Sequence, residues 1–512
     1  MEYAGWPIAL AIIIVYIILV GILGYFSFKK LQINIEDYFL VSRTAGFLIL
    51  YFTIVATYHS AYALLTSCGV FYRVGVFFWA AGTWTFLTGI LTYLFGARMW
   101  YLGKKYGYIT PADLLADYYE SDFLRGLVAI VLAIFLIPYM AVQAMGLGYI
   151  FNVASGGHIP YIAGTWILLF IVALYSMAGG LRAVYWTDFL QGIWMFIAIW
   201  IAGIFVAVKL FGSVGNVFHT LLEVKPQLLS VHVPYTYWFS LGIIFSFGIV
   251  MQPHLWMRYY TARDPHTLKW LGATTPIYLI FIYVPAGFVG LTAAAAVAKG
   301  MIPEIIKTFG SQDATLPALL TRTAPAWFTG IFLAGASAAA MSTADSQMHA
   351  FSAVVTRDLY QKLGKKEVTQ ETLVKQGRIW VFVSFLLAAI LATFRPGIIF
   401  DIVAFSGAGA LQLLPATLGA IYPFKFKFTR TAIIWGIIIG SIVTLLFTKG
   451  LGNKLGMPAH WLNPWGFHGG MIGLFVNFIV VFILSTFTEK PSEETIKKFH
   501  GYLEEMIYGK ES

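Results

Sequence analysis

The stretch AAAMSTADSQMHA, residues 338–350, decides how this chain is read. It lies inside a long apolar run from Ile331 to Val355. Ala339, Ser342, Thr343 and Ser346 are spaced i, i+3, i+4, i+7, so on a helix they share one face. Asp345 stands beside that face. Inside a bilayer every polar group needs a partner, and a carboxylate there costs several kcal/mol. A stripe of small residues, hydroxyls and an acid therefore faces something polar. Oxygen ligands without sulfur or imidazole suit a hard cation, and a buried sodium site is the first reading. The alternative is a helix packed tightly on a neighbour, its hydroxyls bonded back to carbonyls one turn earlier.

The surrounding chain fits a membrane. Of 512 residues, 59% are hydrophobic and 11% charged, and the mean hydropathy is +0.78. No soluble domain of this size carries so little charge. Apolar runs long enough for a hydrocarbon core of about 30 Å recur along the whole length. The fold class expected is an all-α polytopic membrane protein with about 13 spans, roughly 5–28, 47–71, 76–101, 124–152, 160–178, 184–211, 236–258, 270–298, 327–357, 378–394, 398–423, 430–448 and 467–487. Residues 1–488 form one transmembrane domain and 489–512 a cytoplasmic tail. With the N-terminus outside and the C-terminus inside, 24 of the 33 Lys and Arg residues fall on the inner side, Lys29, Lys30, Lys365 and Lys366 among them. That asymmetry accounts for the net charge of +10 as a topological signal and argues against a nucleic-acid partner. The single cysteine, Cys68, excludes an internal disulfide and a cysteine-based metal cluster. No cleavable signal is apparent in residues 5–26.

Two spans are irregular. The second, FTIVATYHSAYALLTSCGVFYRVG (52–75), is dense in polar residues, and the seventh, YWFSLGIIFSFGIVMQPHLWMRYY (237–260), is interrupted by Gly248, Pro253 and His254. Five places apart in the order, they suggest broken helices in corresponding positions of two inverted repeats, with core repeats at about 47–211 and 236–423. Exposed carbonyls at such breaks can ligate a cation, and Pro-kinked packing is the alternative. In the sixth span Asp188 is either a cation ligand facing Ser342 and Ser346 or a partner of Arg182 at the membrane edge. Arg258 reads as the inner end of span seven. The loop 357–378 reads as a solvated connector, and SEETIKKFHGYLEEM in the tail as an amphipathic helix at the inner surface. No P-loop, HExxH, GxSxG or TVGYG-like filter occurs, which disfavours an ATP-driven pump, an intramembrane hydrolase and a potassium channel.

These residues resemble a family. MSTADSQ (341–347) followed by TRDLY (356–360) is similar to the sodium-site helix of the sodium:solute symporter family. DYFLVSR (37–43), GGLRAVYWTD (179–188), QPH (252–254) with Arg258, and ARD (262–264) agree in order and spacing over roughly residues 5–450. The resemblance implies the LeuT-type fold of inverted five-helix repeats and Na+ as the co-transported ion, with no organic cofactor. Carried over by position, the sodium site comprises the carbonyls of Ala56, His59 and Ala339 and the hydroxyls of Ser342 and Thr343. His59 stands where the family usually has an apolar residue, and Tyr58 where some members carry a polar one beside that site. A second cation site of some members would correspond to Asp188, Ser342 and Ser346, with Asp345 where they have a hydroxyl. YGYITPAD (106–113) and IPYMAVQAMG (137–146) look most like the monocarboxylate and pantothenate branch. By the same analogy Tyr58, Ser60, Phe78, Gln143 and Phe245 would face the central cavity. None is a charged partner for a carboxylate, which would use amide and hydroxyl donors or a half-helix N-terminus.

The function expected is sodium-coupled symport of a small organic solute, a monocarboxylate or related acid, across the cell membrane, by a protein that is not an enzyme. Proton coupling through Asp345, Asp188 or His59, a proline-like amino-acid substrate, and a solute sensor are the rival readings. Oligomeric state is left open.

Overall fold

The computed structural model describes residues 3–29, 31–231, 234–364 and 367–509. Lys30, Lys365, Lys366 and Lys510, counted above on the inner side, lie outside the described residues. Among the described residues there is no strand, only one bridge between Ala45 and Ala262.

α1 (Trp6–Phe28), the short α2 (Ile35–Leu40) and α3 (Phe47–Tyr58) lead to the first break. A π-helical turn, Tyr62–Thr66, opens α4 (Ser67–Val74), and α5 (Ala81–Tyr106), α6 (Pro111–Tyr118), α7 (Asp122–Ala154) and α8 (Tyr161–Phe211) follow. After α9 (Val214–Val224), α10 (Tyr235–Ile243) passes through a second π turn, Ile244–Gly248, to α11 (Pro253–Thr261). Then come α12 (Pro265–Phe281), α13 (Tyr283–Ala298), the short α14 (Ile305–Phe309) and α15 (Thr315–Thr323), and α16 (Ala326–Val354). α17 (Gln370–Thr393), α18 (Ile399–Ala410), α19 (Leu414–Ile421), α20 (Arg430–Phe447), α21 (Leu451–Lys454) and α22 (Gly469–Phe487) complete the bundle. The tail folds as α23 (Glu493–Ile496), a π turn and α24 (Tyr502–Tyr508).

Among the described residues ten helical stretches are long and apolar enough to cross a membrane, or eleven with the bent pair α10 and α11 taken as one. This is fewer than the 13 apolar segments of the sequence, because two of the stretches each hold two segments that meet at a kink. One stretch runs Tyr62–Tyr106 and the other is the 51-residue α8. Each contains a glycine in the left-handed region, Gly75 at φ 76° and Gly180 at φ 58°. A Cβ at Gly75 would sit 1.8 Å from the Leu228 carbonyl, and one at Gly180 would sit 2.7 Å from the Tyr38 ring, so no larger residue fits either corner. Exposed apolar side chains cover the outside, among them Ile8, Val15 and Leu19 of α1 and Phe475 and Phe482 of α22, as a lipid-facing surface requires.

Both irregular spans are broken. α3 stops at His59, whose backbone is extended (φ −90°, ψ 95°). α10 and α11 meet at a 41° bend, where Gln252 is extended (φ −65°, ψ 140°) and Pro253 opens α11. Proline has no N–H to continue a helix but suits its first position. Side chains tie down both breaks, at the first by satisfying a freed backbone group. The Ala61 N–H donates to Gln143 Oε1 at 3.1 Å, and Gln252 Nε2 donates to the Ser406 carbonyl and hydroxyl, each at 2.9 Å. α16 is buried nearly throughout and packs on α1, α3, α7, α8, α11 and α17.

Candidate functional site

The break of α3 lies against the hydroxyl stripe of α16. Because α3 stops at Tyr58, its last carbonyls have no intrahelical donor. Ser342 Oγ is 3.0 Å from the Ala56 carbonyl and 3.2 Å from that of Ala339. Thr343 Oγ1 is 3.4 Å from the Ala56 carbonyl, 3.2 Å from Thr57's and 3.3 Å from Ala339's. All five residues are fully buried. The bonds to Ala339 are the back-bonds of ordinary helix packing. Those to Ala56 and Thr57 cross between helices and end on orphan carbonyls at the negative end of α3. A compact, uncharged nest of oxygens at a helix C-terminus is suited to a small hard cation. His59 stands at the break, outside these hydrogen bonds, its ring stacked 5.6 Å from that of Tyr278. Thr57 was not foreseen as an oxygen donor.

One turn along α16 a different cluster forms. Arg258 lies in the last turn of α11, where span seven was expected to end, yet it is only 2% exposed. Its Nη2 donates to Ser346 Oγ at 2.6 Å and Thr57 Oγ1 at 3.0 Å, and lies 3.3 Å from Asp188 Oδ2. Asp188 also accepts a very short hydrogen bond from Thr53. Arg182, the other candidate partner of Asp188, pairs instead with Asp37 at 2.5 Å. Asp345 accepts from Tyr175 at 2.8 Å, and Ser346 lies 3.3 Å from its other oxygen. Of the candidate second-site residues, Asp188 and Ser346 are thus gathered around a guanidinium, Asp345 joins through Ser346, and Ser342 belongs to the neighbouring nest. Sequence reading missed Arg258 because arginine usually marks a membrane edge. The usable signal was an arginine in an apolar run together with an intramembrane acid lacking a partner.

The proposed cavity residues are all buried. Tyr58 donates to the Phe245 carbonyl at 2.9 Å and lies 3.1 Å from Thr88 Oγ1. Ser60 Oγ accepts the Tyr62 N–H at 3.1 Å, beside the Gln143 cap. Phe78 and Phe245 belong to an aromatic layer. Phe245 stacks on Tyr62 at 5.2 Å and on Trp84 at 5.3 Å, and Phe78 meets Trp238 at 5.9 Å and Phe400 at 6.3 Å. Trp238 and Phe400 also floor a cavity of about 930 Å³ open at the end of α4, lined besides by Arg73, Asp401, Lys449 and His468.

The family model described as the sodium:solute symporter family matches residues 38–440. The chain belongs to the sodium:solute symporter family. It is similar to the sodium/pantothenate symporter of Escherichia coli (strain K12), with 28% identity over 89% of this chain and 94% of that one. It is also similar to the osmoregulated proline transporter of Bacillus subtilis (strain 168), with 26% identity over 96% and 97% of the two chains. Among solved structures it shares the fold of a Na+-coupled sialic acid symporter in a substrate-bound outward-open state, with a TM-score of 0.77 at 18% identity, over 95% of this chain and 99% of that one. The symporter is a multi-pass protein of the plasma membrane, and Na+ is its co-transported ion.

At the opposite end of the bundle from the cavity, this symporter gathers four charges. Arg125 of α7 pairs with Asp113 of α6 at 2.6 Å and with Asp358 at 2.9 Å, and Arg357 reaches Asp113 at 3.0 Å. Arg357 and Asp358 lie on a π-helical extension of α16, Val355–Leu363. The start of the 357–378 loop is therefore helical and tied down rather than solvated, because its charges find partners on α6 and α7. Burial alone would raise the Asp113 carboxyl, but Arg357 and Arg125 beside it hold it below the usual carboxylate range.

Proposed function

We propose that this symporter couples inward sodium movement to uptake of a small organic solute, with a monocarboxylate or related organic acid as first candidate and a proline-like amino acid as the alternative. The observation that carries the reading is the contact of Ser342 and Thr343 with the orphan carbonyls of α3. Sodium binds among Ala56, Ala339, Ser342 and Thr343, with Thr57 or His59 supplying a further carbonyl. The ion replaces hydrogen bonds by shorter ion–oxygen contacts and fastens α3 to α16. Coupling follows if sodium binds the fastened arrangement more tightly than the parted one. The solute binds beside the break, among Tyr58, Ser60, Gln143 and the Phe78–Phe245 layer, reached from the 930 Å³ cavity as the outer vestibule. The Arg125–Asp113–Asp358–Arg357 network closes the inner side.

In this reading α8 and the Tyr62–Tyr106 stretch each contribute two spans, giving thirteen, with inverted repeats at about 47–211 and 236–423, the N-terminus outside and the C-terminus inside. Residues 1–488 are the transport domain. The protein performs no chemistry on its solute. Relatives named for pantothenate and proline support the solute class. One observation favours proton coupling as a second reading: Asp345, deep in α16, is held by the Tyr175 hydroxyl and, among the described residues, forms no salt bridge.

Uptake into proteoliposomes, with monocarboxylates, pantothenate, proline and sugars offered under a sodium or a proton gradient, tests the proposal. Uptake of one solute that needs sodium is the expected result. Uptake that follows the proton gradient and ignores sodium supports the second reading.

A further inference from the structure

The C-terminal tail does not lie free along the inner surface. Phe499 and Leu503, the residues that make it amphipathic, are 0% and 1% exposed. The Phe499 ring sits 5.1 Å from that of Tyr118 and 5.8 Å from that of Tyr106, at the end of α6 and of α5. Lys498 Nζ reaches the two carboxylate oxygens of Asp117 at 2.7 and 2.8 Å, and its carbonyl accepts from the Tyr106 hydroxyl at 2.9 Å. Thr495 donates a very short hydrogen bond to Glu120. His500 Nε2 lies 3.1 Å from the Gly419 carbonyl at the end of α19, and Arg98 of α5 donates to the Tyr508 hydroxyl at 2.9 Å. The tail therefore grips α6 and fixes it to α5 and α19.

α6 is also the helix that carries Asp113. Asp113 and Asp117 are i, i+4, one turn apart on the same side of a helix capped at Thr110. The Thr110 hydroxyl itself donates to Asp358 at 3.0 Å. Two sets of bonds thus meet on one eight-residue helix. One comes from the tail through Lys498. The other comes from the inner ends of α7 and α16 through Arg125, Arg357 and Asp358. A helix this short has little stability of its own, so its position follows what it is tied to.

We infer that Lys498 and Asp117 are positioning residues for transport: through them the tail holds α6 where Asp113 can close the inner side, and release of the tail favours the inward-open arrangement. This rests on the alternating-access reading above. Lys498→Asp, Asp117→Lys and the pair together are made in the full chain, in a Cys68→Ala background with a reporter Ala112→Cys on the buried side of α6. Labelling of the reporter by a maleimide in proteoliposomes measures local opening of the inner side. Each single reversal should speed labelling about two- to fivefold, and the paired reversal should restore the native rate. Unchanged labelling in both singles overturns the inference, as does a paired variant that labels as fast as the singles. Should a charge variant fail to assemble, Phe499→Ala decides in its place, with faster labelling expected and an unchanged rate overturning the inference. The sodium concentration for half-maximal uptake should rise in the singles and return in the pair. If the native protein takes up no solute of the panel, the function proposed above has failed, while the labelling ratio still decides the role of the tail.

Discussion

Ser342 and Ser346 are one turn apart on α16, yet they sit in opposite electrostatic settings. Around Ser342 the partners are neutral oxygens, with the negative end of α3 pointing in and no cation from the protein in their hydrogen bonds. Around Ser346 the acid Asp188 is already met by Arg258. In the proposed reading the first cluster gains from a mobile cation, whereas the second carries its own. A binding stripe on one helix is therefore divided by what the facing helices bring, α3's carbonyl end in one case and α11's arginine in the other.

The largest expected effect strikes the second cluster. Arg258→Met leaves Asp188 buried without its cation, and breaking such a pair destabilises by about 3–5 kcal/mol. Denaturant or thermal unfolding in detergent measures this. The double change Arg258→Met with Asp188→Asn should recover most of the loss, since no charge is then left buried. A single variant as stable as the native protein would mean that Asp188 is not held as an ion pair, and the contrast between the two turns would collapse.

A smaller effect is expected where the break beside the first cluster is held open. Gln143→Ala removes the acceptor of the Ala61 N–H, and an unsatisfied buried donor costs about 1–3 kcal/mol. Gln143→Glu keeps an acceptor there and should retain more stability than the alanine. Equal losses in the two would show that the amide does not cap the break.

The smallest effect separates both membrane clusters from the charge network of Arg125, Asp113, Asp358 and Arg357. Asp113 is held below its ordinary value of about 3.9 by Arg357 and Arg125. Its contribution is fully present above that ordinary value and is lost as pH falls through the lower folded value. With Asp358→Asn made in both proteins, so that the other acid on Arg125 does not titrate, the stability difference between Asp113 and Asp113→Asn should therefore stay level from pH 7 to pH 5. A difference that shrinks over that window would contradict the ion-pair assignment.

What the sequence made legible divides along the same line. Four oxygens on α16 follow from a 3.6-residue period, and the breaks follow from local polarity, glycine and Pro253. These are properties of neighbours in the chain. Arg258 meeting Asp188 joins residues 70 apart in sequence, and a charge tally places arginine at an edge. The tail is helical as its sequence suggests, but what covers its apolar face was not legible, for a related reason. Phe499 and Leu503 announce an apolar face, but only tertiary packing shows that α5 and α6 cover it rather than lipid. The corners at Gly75 and Gly180 fall between segments read from the sequence as separate spans, since glycine is where the chain can turn this way.

The central claim is that sodium binds between the end of α3 and the Ser342–Thr343 pair. Its most direct test is the sodium dependence of solute uptake in proteoliposomes for the native protein and for Ser342→Ala/Thr343→Ala. The account predicts that the double variant, still folded, needs at least about tenfold more sodium for half-maximal uptake, a loss of about 1.4 kcal/mol of binding free energy or more. An unchanged sodium requirement would contradict it and place the coupling ion elsewhere.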